Sequence, residues 1–395
     1  MLTNCSGGQL LRTATVISAL LEQPLKVHDV RGNREGKKGV KGGLRAQHIA
    51  CISTLADWSS ATTSPLKTDS TTVIFRPSTS TPKKYWTDRP IPNSSPRRTA
   101  SIAVNGVGST MLLLQAILPY ILYNGPKASE DPTPLHLTVT GGTHVSKAPT
   151  LDYFTQIFVP TLTSLGYPAI TVTEKSRGWS TGPATPGEIE LVIPSIPAGT
   201  SIPAFTMQDR GEVTSYDVTF IVPADAQRSF RTTLENWFAD RAPEIDMNIV
   251  KEADSGHPSR FYLFIVVNTG NGYRLGRDWL WDRKKKDAPA IAADMVRKVW
   301  GWLQEELDKE GCVDSYLQDQ LVVYQVLADG ESVVDAGAWG EGSLHAQTVR
   351  WVGSEIADVK WKPVEDEEEE AQEEARVRYK CKGVGLVSST GEGWE

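Results

Sequence analysis

The 395-residue sequence is poor in the residues that build disulfide frameworks and metal clusters. Its four cysteines, Cys5, Cys51, Cys312 and Cys381, lie far apart, and no CxxC pair occurs. That excludes a zinc ribbon and a disulfide-stapled scaffold, and it fits reduced thiols in an intracellular chain. Histidine is scarce too, with six in all and no HExxH pair. No Walker A or DFG motif is present, which removes the P-loop and protein kinase readings. Long apolar runs are missing. The most apolar stretch, "STMLLLQAILPYILYNG", is broken by Gln115 and Pro119. It is shorter than the roughly 20 residues a membrane span needs, so it reads as a core helix and no membrane association is expected. "MLTNCSGGQLLRTATV" has no basic stretch ahead of an apolar core, so no signal peptide is expected. Neither charge sign dominates: the net charge of −7 argues against a nucleic-acid coat over the whole surface, yet leaves room for a local basic groove.

What is present reads as a soluble globular chain, 39% hydrophobic and 23% charged, long enough for two domains or for one domain carrying an insertion. Helical and strand signals alternate. "LLRTATVISALLEQ" places Leu10, Leu11, Ala14, Ile17 and Leu21 at helical spacing, and "PLKVHDV" then alternates as a strand. "GGLRAQHIACISTLADW", "GSTMLLLQAILPYILYN" and "TLDYFTQIFVPTLTSLG" read as helices. Residues 59–97, rich in Ser, Thr and Pro, read as irregular surface around one strand, "TVIFR". "LHLTVTGGTHV", "EIELVIPSIP", "SYDVTFIVP" and "RFYLFIVVNTG" carry strand patterns. "DAQRSFRTTLENWFAD" is a helix with Asp225 as its expected N-cap. "DAPAIAADMVRKVWGWLQEELDKEG" is the longest helix expected, with Pro289 in its first turn and Gly311 at its end. Two glycine-opened helices, "SGGQLLRTATVISAL" and "VGSTMLLLQAILPYI", look alike and suggest an internal repeat. The acidic block 365–375, "EDEEEEAQEEA", reads as a solvated, disordered insertion.

Three stretches could carry chemistry. In "SGGQLLR…VRGNREGKKGVKGGLRAQH", glycines ahead of a helix free backbone N–H groups for an anion. Arg12, Arg31, Arg34 and Arg45 add guanidinium forks suited to phosphate. From spacing alone this is either an anion site or a solvated basic loop. In "YLQDQLVVYQVLADG", Tyr316, Asp319 and Gln320 fall at i, i+3 and i+4 on one helix face, either as a polar-ligand site or as plain surface, while Leu317 and Leu321 turn toward the core. In "GEGSLHAQTVRW", His345 has no second ligand nearby and so makes a poor metal site. It is either a structural ring or a nucleophile able to carry a phosphoryl or nucleotidyl group as a phosphoramidate.

Taken in order, these stretches resemble the RNA 3′-terminal phosphate cyclase family, over nearly the whole chain and least in its middle. "SGGQLLR" resembles the family's first glycine–glutamine–arginine helix, and the following loop its Arg-rich segment ending in Gly-Leu-x-x-Gln-His. "VGSTMLLLQAILP" and "GGTHVSKAPTLDYFTQIFVPTL" resemble two further motifs. "YLQDQL" followed by "LHAQTVRW" resembles the nucleotide-binding helix and the nucleophile motif.

The resemblance implies an α+β fold of repeated modules, each two helices on a four-stranded sheet, with a smaller inserted α/β domain. The catalytic domain is expected over 1–196 and 286–395 and the insertion over 197–285. The implied activity is ATP-dependent conversion of an RNA 3′-phosphate to a 2′,3′-cyclic phosphate through a covalent His–AMP. By position, His345 matches the nucleophile. Gln115, Tyr316, Leu317, Gln318, Asp319 and Gln320 match the ATP contacts, and Arg12, Arg31, Arg34 and Gln47 match the phosphate and RNA-end contacts. ATP, a divalent metal (Mg or Mn), RNA with a 3′-phosphate end and an intracellular, nuclear location follow from the same likeness. Three positions depart from the family pattern. Cys5 stands where an acidic, metal-contacting residue is usual, His144 replaces an Asp in the "GGT" motif, and Val349 replaces an Asn after the nucleophile motif. The chain also begins inside the first motif, without the strand that precedes it in the family. Those departures keep open a non-catalytic, RNA-binding cyclase-like protein of ribosome biogenesis, or a scaffold whose acidic segment recruits partners. The presence of His345 with Asp319 and Gln320 favours the enzyme.

Overall fold

The computed structural model describes residues 7–32, 42–78, 84–92, 94–125, 134–283, 287–338, 342–364 and 378–389. The body repeats one module, a pair of helices on a sheet. The first comprises α1 (Gly8–Leu20), β1 (Leu25–Val27), α2 (Ala46–Trp58), β2 (Thr62–Thr63) and β3 (Val73–Arg76), with strand order β1-β3-β2. After β4 (Thr87–Ile91) the second runs β5 (Ser94–Ala103), α3 (Thr110–Asn124), β6 (Leu135–Gly141), a continuous helix made of α4 (Leu151–Tyr153), a π turn (Phe154–Phe158) and α5 (Val159–Ser164), then β7 (Thr171–Ser176) and β8 (Gly187–Ile193). Its order is β5-β6-β8-β7, with β4 added on the outer edge of β5. The third module opens with β9 (Thr206–Met207) and is interrupted there by a second unit: β10 (Val213–Val222), α6 (Gln227–Arg241), β11 (Asp246–Asp254), β12 (Tyr262–Thr269), β13 (Arg274–Leu280) and α7 (Ala288–Leu307). It resumes with α8 (Ser315–Leu327), β14 (Glu331–Val334), α9 (Leu344–Ala357), β15 (Trp361–Pro363) and β16 (Tyr379–Lys382), in the order β9-β14-β16-β15.

The repeat is therefore visible in strand order. Within a module the first and second strands pair in parallel (β5 with β6, β9 with β14), and the second and fourth antiparallel (β1 with β3, β6 with β8, β14 with β16). A parallel pair requires a crossover, which the module's first helix supplies. The first module shows three strands among the described residues. The look-alike helices α1 and α3 occupy equivalent places in successive modules. β6 and β8 alternate buried and half-buried positions, as a sheet with one covered face must. The helices meet in the middle, where α1 packs on α2, α3 and α9, and α8 on α9.

The inserted unit has its own core on one face of the sheet β11-β10-β12-β13. Tyr216, Val218, Phe220 and Val222 of β10 and Leu263, Ile265 and Val267 of β12 meet Phe230 and Leu234 of α6 and Met295 and Leu303 of α7. The alternate residues, Ile221, Tyr262, Phe264 and Val266, belong to the core of the body. Full burial of a Phe or Leu side chain stabilises by roughly 1.5–3 kcal/mol, so the sheet is held firmly from both sides.

Several expectations need correcting. The limits of 197 and 285 for the insertion do not hold, because β9 pairs with β14 of the body, whereas α7 packs on α6, β12 and β13. The second core thus runs from Tyr216 to Leu307. Asp225 is not an N-cap: a 3₁₀ turn, Ala224–Ala226, leads into α6 with no side-chain cap. α7 ends at Leu307, and the left-handed position after it is Glu310 rather than Gly311. Within 59–97 the chain also forms β2, β4 and the start of β5. In the fourth helix Pro160 cannot donate to the carbonyl four residues back. The π turn absorbs the fault, and Arg274 Nη1 of the insertion donates to that carbonyl, Gln156 O, at 3.0 Å. The acidic block 365–375 lies outside the described residues.

Candidate active site

A cavity of about 550 Å³ opens where α1, α3, α8, α9, the Val145–Thr150 loop and the edge strand β13 converge. On its floor Tyr316, Asp319 and Gln320 share one face of α8, as their spacing requires. That helix starts at Asp314, a fully buried N-cap that accepts from Tyr316 N and Leu317 N, both at 2.9 Å. The same carboxylate accepts from Tyr153 OH at 2.7 Å and from Gly276 N at 2.9 Å, so it ties the body's fourth helix and β13 to the start of α8.

His345 is the second residue of α9, after the N-cap Ser343, whose Oγ accepts from Ala346 N at 3.1 Å. Its side chain is 65% exposed, and its Nδ1 stands 3.5 Å from Asp319 Oδ2. A carboxylate on one ring nitrogen orients the imidazole and leaves Nε2 as the nitrogen for chemistry. Burial holds the Asp319 carboxyl above its ordinary range, opposed by the His345 and Gln9 hydrogen bonds and the Arg12 charge. Gln9 Nε2 donates to Asp319 Oδ2. The Arg12 guanidinium is pulled below its usual range by burial, with Cys51 and Asp319 acting the other way. Gln9 Oε1, Arg12 Nε and Arg277 Nη1 are buried with no hydrogen-bond partner among the described residues. Orphaned polar atoms of this kind in a cavity wall mark groups left for a ligand to satisfy, and two of them are cationic donors suited to an anion.

The first turn of α1 is shaped by an absence. A Cβ on Gly8 would stand 2.2 Å from His48 Nε2, so the imidazole lies where a side chain would be. The other nitrogen, His48 Nδ1, accepts from Arg45 N at 3.1 Å at the start of α2.

Of the residues singled out in the sequence, Arg12, Gln115, Tyr316, Asp319, Gln320 and His345 line one cavity. Leu317 is instead fully buried in the body's core. Gln318 Oε1 accepts from Ser343 N at 3.4 Å beneath Gly342, so it holds the turn into α9 and does not face the cavity. Gln47 Nε2 donates to Ser109 O at 3.1 Å, joining α2 to the N-cap of α3. Arg31, at φ 57°, sits in the turn after β1 with its Nη1 3.4 Å from Gly43 O. Neither is part of the cavity lining. Cys5 and Arg34 lie outside the described residues. Val349 is fully buried among apolar neighbours, a position that suits its aliphatic side chain.

His144 is also buried. Its Nε2 lies 2.9 Å from Asp152 Oδ2 and its ring stacks on Trp179 at 4.7 Å. Asp152 also meets Lys251 Nζ of β11 at 2.8 Å. Burial alone would raise Asp152, but His144 and Lys251 outweigh it and hold the carboxyl at about 2. His144 is thus a bolt between the loop and the insertion.

Sequence reasoning did not find β13. Its Arg277 lies 4.3 Å over the Tyr316 ring and pairs with Glu306. Asp278 accepts from Thr150 Oγ1 at 2.9 Å and Tyr262 OH at 3.2 Å; burial pushes it up to about 6 against those bonds and the Arg277 charge. Trp279 and, from α7, Trp302 complete that wall. "RLGRDWL" has no clean alternation to mark it as a strand. Among the described residues no cluster of three or more His, Cys, Asp or Glu is placed to hold a metal ion. A cation here would depend on substrate phosphates and a single carboxylate such as Asp319. No helix among the described residues is long and apolar enough to cross a membrane.

Comparison with known proteins adds a family match. The family model described as RNA 3′-terminal phosphate cyclase matches residues 3–362. Proteins named RNA 3′-terminal phosphate cyclase are similar along most of their length. The one from Methanosarcina acetivorans is 29% identical over 91% of this chain and 95% of its own. The one from Sulfolobus acidocaldarius is 28% identical over 90% and 92%, and that from Drosophila melanogaster 23% over 97% and 95%.

Proposed function

The chain belongs to the RNA 3′-terminal phosphate cyclase family, and on that premise we propose that it converts an RNA 3′-phosphate to a 2′,3′-cyclic phosphate at the expense of ATP, through His345. The observation that carries the reading is His345 in the wall of a cavity that Asp319, Arg12 and Arg277 also line, with its Nδ1 3.5 Å from Asp319 Oδ2.

His345 Nε2 attacks the α-phosphorus of ATP. A P–N bond forms, the Pα–O bond to the β-phosphate breaks, and pyrophosphate leaves. Asp319 accepts from Nδ1–H and stabilises the positive ring as the bond forms. Arg12 and Arg277 neutralise the developing phosphate charge. An oxygen of the RNA 3′-phosphate then attacks the same phosphorus, displaces the histidine and receives AMP. The neighbouring 2′-OH attacks the activated 3′-phosphorus, loses its proton and expels AMP, which closes the ring. A monoester phosphate is a poor electrophile until one of its oxygens becomes part of such a leaving group. Tyr316 and Gln320 face the adenylate, with Gln115 across the cavity. Arg31, Arg34 and Gln47 are assigned to the RNA end. A divalent cation, Mg²⁺ or Mn²⁺, bound by the ATP phosphates would neutralise their charge. A nuclear, intracellular place of action belongs to the same proposal and is checked by cell fractionation.

The test is incubation with α-labelled ATP. The wild-type protein is expected to acquire acid-labile, alkali-stable label, and His345→Ala none. Equal labelling of the variant would refute the assignment. No labelling of the wild type with either cation would leave the non-catalytic RNA-binding reading.

A further inference from the structure

The inserted unit presents two tryptophans to the cavity that holds His345. Trp279 comes from β13 and Trp302 from α7, with ring centroids 5.8 Å apart at 73°. Their neighbours show what an ordinary structural indole looks like here. Trp281 is 4% exposed within the insertion's core, and Trp300 packs on Tyr216 and Phe238. Trp279 rests on that core with one side, while Trp302 belongs to neither core. Both indoles are only partly buried in the cavity wall, so part of each ring is open to a planar partner.

Charge surrounds the pair. Arg283 lies 4.9 Å from the Trp279 ring, and Lys298, four residues before Trp302 on the same face of α7, lies 4.9 Å from the Trp302 ring. Asp282 and Glu305 also line this wall. Mixed charge around aromatic rings suits a nucleotide better than a bare anion. Bases stack on the indoles, cations meet the phosphates joining them, and carboxylates accept from exocyclic amines.

We propose that Trp279 and Trp302 form a stacking platform for a nucleobase of single-stranded RNA close to its 3′ end. This rests on the reading of His345 as a nucleotidyl carrier. That reaction brings two nucleotides to one histidine. Tyr316, one helical turn from Asp319 on α8, already provides a ring beside the adenylate. The second aromatic pair, carried by a different unit at the same cavity, serves the second nucleotide. Single-stranded RNA ends are held largely in this way, by splayed bases on aromatic faces.

Trp302 is the residue to change, because it lies outside both cores. Fluorescence anisotropy of a 5′-labelled, 3′-phosphorylated oligonucleotide gives the RNA affinity, and α-labelled ATP gives self-adenylylation of the same preparations. Trp302→Ala is expected to weaken RNA binding by roughly 5- to 100-fold, as loss of one stacked base does. That loss should exceed any loss in adenylylation, and Trp302→Phe should restore most of it. Unchanged RNA affinity, or no RNA binding by the wild type, overturns the platform. A fall in adenylylation larger than the fall in RNA affinity also overturns it and assigns the pair to adenine. RNA binding lost in Trp302→Ala while even the wild type takes no label would sustain the platform and sink the nucleotidyl-transfer reading instead.

Discussion

Glu306→Ala tests how the cavity wall is held. Glu306 is 2% exposed and Arg277 8%. Arg277 Nη2 donates to Glu306 Oε1 and to Ser315 Oγ, and Ser315 N donates to Glu306 Oε2 at 3.2 Å. Lys309 Nζ stands 3.6 Å from the same carboxylate. Burial, with the Arg277 charge second, pulls the Lys309 ammonium below its usual range. Without Glu306, Arg277 and Lys309 lose the carboxylate that they share. Breaking a buried pair costs about 3–5 kcal/mol. Arg277 borders the cavity, where water can reach it, so the lower end, about 3 kcal/mol, is expected. Urea unfolding followed by circular dichroism measures this in Glu306→Ala, Arg277→Ala and the double variant. The double variant should lose less than the sum of the singles, by about 1.5 kcal/mol or more, because both singles break the same pair and Glu306→Ala leaves the buried Arg277 charge without its carboxylate. Since Arg277 backs the Tyr316 ring at 4.3 Å, Arg277→Ala should also raise the ATP concentration needed for labelling. Additive losses, or a loss below about 1 kcal/mol in Glu306→Ala, would refute the coupling.

Other consequences follow from single contacts. Gly8→Ala puts a methyl 2.2 Å from His48 Nε2, and displacing the ring should cost about 1–3 kcal/mol, read as a lowered melting temperature; an unchanged melting temperature would mean the ring moves freely. Asp278, raised to about 6 by burial, binds more protons folded than unfolded between pH about 4 and 6. Stability should therefore fall as pH rises through that window, and Asp278→Asn should remove this part of the slope in denaturation at stepped pH. The flanks of the acidic block already meet, with Val364 N donating to Arg378 O at 2.8 Å beyond the β15–β16 pair. Replacing 365–377 by a short Asn-Gly turn should leave the melting temperature within a degree or two, since loop length changes closure entropy only slowly; a large drop would show that the segment packs.

The α+β class, the repeat and most helices were legible because their signals are local. The Tyr316–Asp319–Gln320 face could be read from helical spacing alone. The doubling of α1 and α3 reflected a real equivalence of place in successive modules. β4 was hidden because an exposed edge strand containing Pro90 has no apolar face to betray it. The other half of the cavity was hidden for a different reason. Arg277, Asp278 and Trp279 matter only because β13 is the free edge of one sheet brought against the start of a helix from another unit. No periodicity within "RLGRDWL" encodes that meeting. The insertion's rear limit was misplaced because "DAPAIAADMVRKVWGWLQEEL" has the pattern of any amphipathic helix, and a pattern does not say which sheet it covers.

The position of the insertion explains how one cavity draws on two units without weakening either core. It leaves the body between β9 and α8, after the first strand of the third module and before its first helix, so the strand order β9-β14-β16-β15 survives intact. The returning chain must arrive at the N-terminus of α8, which carries Tyr316 and Asp319. Asp314 fixes the arrival: one carboxylate serves the helix start, the Tyr153 hydroxyl and the Gly276 amide of β13. Gly276 has no room for a side chain there, since a Cβ would stand 2.5 Å from Ile157 Cδ1 and 2.7 Å from the Phe264 ring. The edge of β13 is thereby pressed against the start of α8, and its next residues, Arg277 to Trp279, line the cavity. Changes in length or composition elsewhere in the insertion would leave that junction in place. The insertion can alter what enters beside His345 while the helices that orient His345 and Asp319 stay packed against the body.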